Sequence, residues 1–324
     1  MKKTVAIIMG GYSSEHDISI KSGEIVYEYI DRELYIPYKV HIQKDSWALV
    51  NDQGQRFEID KNDFSALIEG QKINFDLVFN AIHGAPGENG QFLAYLELLG
   101  ISHSSAPFYQ MALTFNKRDC LSVAQKYGIS TAKSIYLNQG DSIDPVYIEK
   151  ELGFPLFVKP NNAGSSYGIS KVYNTNELLQ GIEKAYIEDQ EIILESFLEG
   201  TEVSVGVISL PEGPMVLPMT EIVSENDFFD YEAKYEGKSQ EITPARISKE
   251  MKEIIENKAV HLYNKFGMKG FSRSEFIIVE DEPYFLEMNT VPGLTLQSIL
   301  PQQAAKAGIN LRDLIHSALI QSQS

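Results

Sequence analysis

The stretch FLEMNTVPGLT (residues 285–295) has the pattern of a strand that runs into a Pro-Gly turn. Alternation along such a strand divides the side chains between two faces, with Tyr284, Leu286 and Met288 on one and Phe285, Glu287 and Asn289 on the other. A carboxylate and an amide then lie two residues apart, where a strand with only a structural role would have apolar side chains. The stretch therefore predicts a polar site at the end of a strand.

A second strand pattern, FSRSEFIIV (residues 271–279), lies just upstream, and EDEP (residues 280–283) suits the turn between them. If the strands pair with Glu275 opposite Glu287, four polar side chains share one face: Arg273, Glu275, Glu287 and Asn289. Opposed carboxylates repel each other, so such a pair requires a cation. Two carboxylates and an amide carbonyl are oxygen ligands of the kind that Mg²⁺ takes. A solvated edge hairpin with surface acids is the alternative, and this stretch alone leaves both interpretations open.

Composition describes an ordinary globular protein. A chain of 324 residues with 43% hydrophobic and 23% charged residues has room for two or three domains. Its net charge of −17 argues against nucleic acid or an anionic membrane as the main partner, although a few lysines and a metal can still attract phosphorylated substrates. The single cysteine excludes an internal disulfide. With no secretion signal or membrane-spanning stretch recognised, the expected location is the cytoplasm.

The first third of the chain alternates strand and helix patterns, which predicts a parallel-sheet α/β domain. Strand patterns occupy residues 4–9, 38–42, 47–50 and 76–82, and helical patterns occupy residues 18–30 and 91–99. Gly10-Gly11 and HGAPGENG (residues 83–90) each lie between a strand and a helix. This arrangement presents a ligand to a helix N-terminus, although ordinary βα turns look the same. A seam near residues 104–107 predicts a first domain of residues 1–106.

The remainder has a less regular order, which predicts α+β domains at 107–198 and 199–324. Helical patterns cover residues 107–128, 176–187, 249–266, 302–307 and 311–320, the last capped by Asn310, and strand patterns cover residues 155–159, 169–173, 191–197 and 202–210. Residues 225–241 contain many acids, lysines and tyrosines without a period. We interpret that segment as a long functional loop.

The segment PLFVKPNNAGSSYGISKV (residues 155–172) brings Lys159 to the end of a strand, ahead of a loop that contains Ser165 and Ser166. Glycines let a backbone approach an anion closely, and hydroxyl groups add donors. No Gly-x-x-x-x-Gly-Lys-Ser/Thr pattern occurs and no helix follows, so this is neither a P-loop nor a dinucleotide site. Strand, loop and strand are typical of a mobile flap over a triphosphate, although a plain hairpin turn has a similar pattern.

Six motifs follow one another in the chain: GGYSSEHDISIKSG (10–23), HGAPGENG (83–90), VKPNNAGSSYGISKV (158–172), LESFLEGTEVSV (194–205), DYEAKY (230–235) and LEMNTVPGLT (286–295). Together they resemble the D-alanine–D-alanine ligase family of the ATP-grasp superfamily, from Thr4 to about Leu319. The resemblance implies an ATP-grasp fold with an N-terminal α/β domain, a small central α+β domain and a C-terminal α+β domain. It also implies a cytoplasmic homodimer that joins two D-alanines for peptidoglycan.

The family transfers the γ-phosphoryl group of ATP to the first D-alanine's carboxylate, and the second D-alanine's amine then displaces phosphate. Charge opposes carboxylate attack on phosphate, so cations and exact placement are required. The resemblance assigns phosphate contacts to Lys117, Lys159, Ser165, Ser166 and Lys234, adenine contacts to Glu195, Phe197 and Leu198, and the ribose contact to Glu202. Two Mg²⁺ ions, or Mn²⁺ in their place, are then held by Glu275, Glu287 and Asn289.

On the amino-acid side, the resemblance assigns seven residues. Glu15 holds the first D-alanine's ammonium group with His83 nearby, and Ser165 links Glu15 to Tyr235. Arg273 and the Gly293 N–H stabilise the departing phosphate and the oxyanion. Ser298 binds the carboxylate of the second D-alanine. Tyr235 lies in the DYEAKY motif, within the 225–241 loop that would form a lid. Its presence favours an amine as the second nucleophile.

Three positions depart from the usual family pattern. Glu275 replaces an Asp, Gln297 replaces a common His, and Ala163 replaces an acid that often precedes the flap glycine. One alternative is an ATP-grasp ligase with a different product, such as a depsipeptide or a mixed D-amino-acid dipeptide. Another is a non-catalytic sensor of nucleotide or D-alanine, which would not need Arg273 to stabilise an oxyanion.

Overall fold

The structure is a computed structural model that describes residues 2–164, 167–224 and 239–321. Four predicted site residues lie outside these ranges: Ser165, Ser166, Lys234 and Tyr235. Most of the predicted 225–241 loop lies outside them as well. The described residues form three sheets with helices packed against them. None of the helices in these ranges combines the length and the apolar character needed to span a bilayer.

The N-terminal sheet has eight strands in the order β6-β5-β4-β3-β2-β1-β7-β8. Their bounds are β1 Lys3–Gly10, β2 Tyr35–Ile42, β3 Trp47–Val50, β4 Arg56–Asp60, β5 Ser65–Ile68, β6 Gln71–Ile73, β7 Leu77–Asn80 and β8 Ser102–His103. Strands β2, β1, β7 and β8 are parallel, as predicted, whereas β2 to β6 form an antiparallel meander. The last three strands of the meander are only three to five residues long, so their patterns are weak in the sequence.

Strand β1 is buried on both faces. Helix α1 (His16–Tyr29) and helix α2 (Gln91–Leu98) follow β1 and β7 respectively, with α2 reached through the HGAPGENG loop. Val5, Ile7 and Met9 pack in one hydrophobic cluster and Ala6 and Ile8 in another, all fully buried. Because both faces of the parallel strands are covered, the polar groups of their loops collect at the C-terminal edge of the sheet.

The central sheet is antiparallel, with the order β11-β10-β12-β9. Its elements are α3 Phe108–Phe115, α4 Lys117–Lys126, β9 Ser134–Asn138, α5 Pro145–Leu152, β10 Leu156–Pro160, β11 Ser170–Val172, α6 Thr175–Glu188 and β12 Glu191–Ser196. The prediction of one helix over 107–128 was wrong, because Asn116 is extended and its side chain accepts the Asp119 N–H as the cap of α4. The break places Lys117 at a helix start instead of mid-helix.

The C-terminal sheet has the order β16-β15-β13-β17-β18, with β14 paired to β13. Its elements are β13 Thr201–Leu210, β14 Gly213–Val216, β15 Thr220–Ser224, β16 Ser239–Ile242, α7 Lys249–Phe266, β17 Phe271–Val279, β18 Glu282–Asn289, α8 Ile299–Lys306 and α9 Leu311–Gln321. Asn310 accepts the Asp313 N–H at the start of α9, as predicted. Helix α9 packs against β13 and α1, and its Leu314 belongs to the same hydrophobic cluster as Val5 of β1.

The β17–β18 hairpin has the predicted register, with Glu275 opposite Glu287 and Arg273 opposite Asn289. The predicted position of Phe285 on the polar face was wrong, however. A bulge leaves Leu286 as an extra residue, so Phe285 pairs with Phe276 and both are fully buried, with ring centroids 5.6 Å apart. A bulge interrupts strict alternation.

Candidate active site

Two cavities adjoin the β17–β18 hairpin. The first lies between the hairpin and the central sheet, and it is lined by Lys117, Ala132, Phe157, Lys159, Ile169, Glu195, Ser196, Leu198, Glu202, Glu275, Ile277, Leu286 and Glu287. The second opens toward the N-terminal sheet, and its lining includes Glu15, His83, Glu88, Lys117, Gly164, Glu241, Arg273, Glu287, Asn289, Gly293 and Ser298. Lys117 and Glu287 line both, so the two cavities meet at these side chains.

Lys117 is the first residue of α4 and lies where the two cavities meet. Its Nζ donates to the Ala163 carbonyl at 2.7 Å and lies 3.5 Å from Glu287 Oε2. The ammonium group therefore ties the flap segment to the hairpin. A helix N-terminus and an ammonium group both favour an anion at this point.

The first cavity contains a buried ion pair between neighbouring strands. Lys159 on β10 places Nζ 2.7 Å from Glu195 Oε2 on β12. Burial alone would lower the pKa of Lys159, but the Glu195 carboxylate, with smaller effects from Glu287 and Glu202, raises the pKa above its usual value. Glu195 Oε1 is buried and accepts no hydrogen bond from any described residue. A ligand amine or hydroxyl donor would satisfy this oxygen.

The remaining residues predicted for the nucleotide occupy three positions around this cavity. Leu198 and Glu202 line it. Phe197 is not part of the lining, but its ring lies under Lys171 Nζ, 3.9 Å from the ring centroid. The structure thus brings together every described residue predicted for the nucleotide except Phe197, which flanks the cavity.

The opposed carboxylates of the hairpin have cationic neighbours within the chain. The Arg273 guanidinium contacts Glu275 Oε1 and also donates to Ser204 Oγ at 3.1 Å, while Lys117 lies beside Glu287. Asn289 Oδ1 accepts the Val291 N–H at 3.1 Å, which orients its amide. Among the described residues, no three His, Cys, Asp or Glu side chains are grouped to hold a metal by themselves. Two carboxylates and an amide fit Mg²⁺ when substrate phosphates complete the coordination.

Glu15 is 6% exposed at the opposite end of the second cavity, directly beside the flap. A Cβ atom added at Gly164 would lie 2.6 Å from Glu15 Oε2, so a side chain here would displace the Glu15 carboxylate. His83 is also buried, and its Nε2 lies 3.0 Å from Ser22 Oγ. Burial is the largest influence on His83 and lowers its pKa, although Glu15 opposes this. Glu15 and His83 therefore form a buried polar end of the second cavity beside the N-terminal sheet.

Gly293 and Ser298 close the second cavity at the start of α8. Ser298 is the N-cap residue, and its Oγ lies 2.8 Å from Thr295 Oγ1. A Cβ atom at Gly293 would lie 2.7 Å from Ser298 Oγ, so a side chain here would displace the Ser298 hydroxyl group. The N–H groups of the first helical turn face no intrahelical acceptor, which suits a carboxylate.

Sequence reasoning missed Glu88, although it lies in the HGAPGENG motif. Glu88 is buried in the second cavity and its Oε2 accepts the Gly84 N–H at 3.0 Å. Burial, and next the Glu15 carboxylate, raise its pKa to about 7. An acid within a glycine-rich loop that follows a buried strand was the available signal.

We expect Glu88 to make stability depend on pH. Because the pKa is raised from 4.5 to about 7 in the folded protein, the folded state binds more protons than the unfolded state between these values. The free energy of unfolding should therefore fall as the pH rises through this window, and Glu88→Gln should remove that part of the fall. Urea unfolding at about pH 5 and about pH 8 measures it. Exposed Glu58→Gln is the control, and a Glu88→Gln difference from wild type that does not change with pH contradicts the assignment.

Arg118 was also missed, because an arginine beside Lys117 has no distinctive pattern. Its guanidinium is buried and donates to the Ile192 and Leu137 carbonyls and, at 2.9 Å, to Asn138 Oδ1. These acceptors lie on β12 and β9, so Arg118 fastens the start of α4 to the central sheet. Lys117 and Glu195 are thereby held in a fixed relation.

Comparison with known proteins agrees with this geometry. The family profile described as D-ala D-ala ligase N-terminus matches residues 4–106, and the one described as D-ala D-ala ligase C-terminus matches residues 123–321. The chain belongs to the D-alanine–D-alanine ligase family. The D-alanine–D-alanine ligase of Flavobacterium johnsoniae is 61% identical to it over 317 residues, and that of Christiangramia forsetii is 54% identical over 319, each alignment covering 98% of both chains.

Solved structures of D-alanine–D-alanine ligase relatives have the same fold. The VanG D-Ala:D-Ser ligase of Enterococcus faecalis is 30% identical with a TM-score of 0.89, covering 99% of this chain and 100% of that one. The D-alanine–D-alanine ligase of Bacillus anthracis complexed with ATP is 27% identical with a TM-score of 0.79, covering 99% and 97%. The predicted ATP-grasp fold is confirmed, and the chain is a ligase of this family.

Proposed function

We propose that this ligase joins two D-alanines at the expense of ATP, with ADP and phosphate as the other products. The observation that supports this most directly is the meeting of the two cavities at Lys117 and Glu287. A nucleotide in the first cavity would direct its terminal phosphate to this junction. A carboxylate substrate in the second cavity would reach the same point from the other side, as phosphoryl transfer requires.

The first cavity fits ATP. The unsatisfied Glu195 Oε1 would accept the exocyclic amine of adenine, with Leu198 beside the ring and Glu202 toward the ribose. Lys159 and Lys117 would contact the phosphates, exchanging their present carboxylate and carbonyl partners for phosphate oxygens. Ser165, Ser166 and Lys234 remain predicted phosphate contacts.

Glu275, Glu287 and Asn289 would hold two Mg²⁺ ions, for which Mn²⁺ could substitute. Bound there, the ions would neutralise the phosphate charge that opposes carboxylate attack. Glu275 contacts Arg273, so the longer Glu side chain in place of Asp lies on the shared face of the hairpin. Arg273 would then be released to the transferring phosphoryl group, where its planar fork makes two parallel hydrogen bonds.

The second cavity fits two amino acids in series. Glu15 would bind the ammonium group of the first D-alanine, with His83 beside it and the Gly164 backbone above. Its carboxylate would then point to the Lys117–Glu287 junction. Ser298 and the first N–H groups of α8 would bind the carboxylate of the second D-alanine, and the Gly293 N–H with Arg273 would stabilise the oxyanion. Ser165 and Tyr235 remain predicted members of this site.

Three further expectations accompany this function. The units would be residues 1–106, 107–198 and 199–324, each built around one of the three sheets. The enzyme would act in the cytoplasm, where its one cysteine, buried Cys120, stays reduced, and would supply dipeptide for peptidoglycan. It would be a homodimer, by likeness to the family.

Heavy-oxygen labelling tests the acyl-phosphate step. Attack of the first D-alanine's carboxylate on the γ-phosphorus of ATP forms a new O–P bond as the bond to ADP breaks. The later attack by the amine forms the C–N bond and breaks the C–O bond of that same oxygen, which leaves with phosphate. One label from D-alanine carboxylate should therefore appear in inorganic phosphate, as mass spectrometry can measure. Phosphate without label in a reaction that forms dipeptide would exclude this route.

A ligase that uses another second nucleophile is the remaining alternative, since the VanG neighbour is titled a D-Ala:D-Ser ligase. The test supplies the enzyme with ATP, Mg²⁺ and D-alanine, and adds further D-alanine, D-serine or D-lactate as the second substrate. The rate of ADP release is then compared among the three reactions. We expect the greatest stimulation with D-alanine. Greater stimulation by either of the others would assign the ligase to that product.

A further inference from the structure

Glu241 is an acid of the second cavity for which the resemblance gives no role. It lies on the edge strand β16 opposite Ile222 of β15, and it lines the cavity with Arg273 and Ser298. Its Oε2 accepts the Gln302 Nε2 at 3.2 Å, and the same Nε2 donates to the Gln297 carbonyl at 2.6 Å. Gln302 therefore links the carboxylate to the turn that precedes α8.

Four acids are found among the described residues that line this cavity: Glu15, Glu88, Glu241 and Glu287. Three of them lie toward the first substrate and the phosphates. Glu15 packs against the flap at Gly164, Glu88 accepts the Gly84 N–H, and Glu287 lies beside Lys117. Only Glu241 is joined to the segment of residues 297–302, where the second amino acid would place its carboxylate.

An amino acid enters the site as a zwitterion, so a site for its carboxylate also needs an acceptor for its ammonium group. Burial raises the pKa of Glu241, while Arg273 and the Gln302 hydrogen bond act in the opposite direction. A partly desolvated carboxylate gains more from a cationic ligand than one in water does. Arg273 also lines this cavity, but the proposed chemistry requires its guanidinium at the phosphoryl group.

We propose that Glu241 binds the ammonium group of the second amino acid and so selects an amino acid over a hydroxy acid as second substrate. The inference rests on the proposed function. It makes Glu241 a specificity-determining residue that contacts the second substrate and leaves ATP and the first D-alanine to other groups.

Competition between D-alanine and D-lactate as second substrates tests this role. D-Lactate has a hydroxyl group in place of the ammonium group, so it has nothing to gain from Glu241. In Glu241→Gln we expect kcat/KM for the second D-alanine to fall about 10–100-fold, the range for a charge-assisted hydrogen bond. The ratio of dipeptide to D-alanyl-D-lactate, measured by mass spectrometry, should fall by the same factor, while KM for ATP stays within about 2-fold.

Two further variants separate this role from a structural one. Glu241→Asp keeps the carboxylate and should recover part of the dipeptide preference, whereas Glu250→Gln, exposed at the start of α7, should behave as wild type. The inference is overturned, while the proposed function stands, if Glu241→Gln leaves the product ratio unchanged. It is also overturned if KM for ATP rises by the same factor by which kcat/KM for the second D-alanine falls. Wild-type protein that forms no dipeptide overturns both.

Discussion

Glu287→Gln is expected to lower kcat for dipeptide synthesis by at least about 10²–10³-fold, the usual cost of losing one preorganised electrostatic group in an active site. Glu287 lines both cavities, lies 3.5 Å from Lys117 Nζ and faces Glu275 across the hairpin. The amide has nearly the same shape but lacks the charge that would hold Mg²⁺ and balance Lys117. Coupled measurement of ADP release at saturating ATP and D-alanine gives kcat.

The control for this substitution lies in the same hairpin. Glu280 is exposed at the turn between β17 and β18, so Glu280→Gln should leave kcat within about 2-fold of wild type. Both variants should keep a thermal midpoint close to that of wild type, because Glu287 is partly exposed and its removal leaves no cavity. If the Glu287→Gln enzyme has wild-type turnover, the proposed metal site is wrong.

Arg273→Met is expected to lower kcat by about 10²–10³-fold with a smaller effect on KM for ATP, because the guanidinium would act on charge that develops during transfer. Arg273 contacts Glu275 and Ser204 on the face of the sheet that borders the second cavity. Arg273→Lys keeps the charge but loses the planar fork, so it should recover only part of the rate. Initial rates of phosphate release at varied ATP separate kcat from KM.

Exposed Arg312 on α9 provides the matched control, since Arg312→Met removes the same charge and fork outside both cavities. We expect it to retain full activity. If Arg273→Met raises KM for ATP and leaves kcat unchanged, Arg273 binds the ground state only, and its proposed role in the transition state is wrong.

The hairpin illustrates how far the sequence determined the site. Alternation predicted polar side chains on one face, and the pairing of Glu275 with Glu287 was a hypothesis that the structure confirms. Turn length does not set this register, because β18 begins at Glu282 within the predicted EDEP turn, and the bulge shifts the pairing by one residue. Alternation alone placed Phe285 on the wrong face, because it cannot predict a bulge. The bulge arises where one strand has an extra residue relative to its partner. The tilted rings of Phe276 and Phe285 contact each other in the core, and this contact left no local pattern.

Other misses have the same physical origin. Asn116 breaks the helix predicted for 107–128 because its side chain caps α4. The sequence pattern alone does not show which backbone group an asparagine side chain will bond. Glu88 and Glu241 lie in different parts of the chain, and only folding brings them into one cavity. Their proximity depends on tertiary packing, whereas the flap and the hairpin depend on local patterns.

The central claim is that the two cavities bind ATP and two D-alanines for a single coupled reaction. The most direct test incubates the purified protein with ATP, Mg²⁺ and D-alanine, and measures ADP and D-alanyl-D-alanine together. We predict that ADP formation depends on D-alanine and that the two products appear in equal amounts. ATP hydrolysis without dipeptide, or ADP formation that D-alanine does not change, would contradict this account.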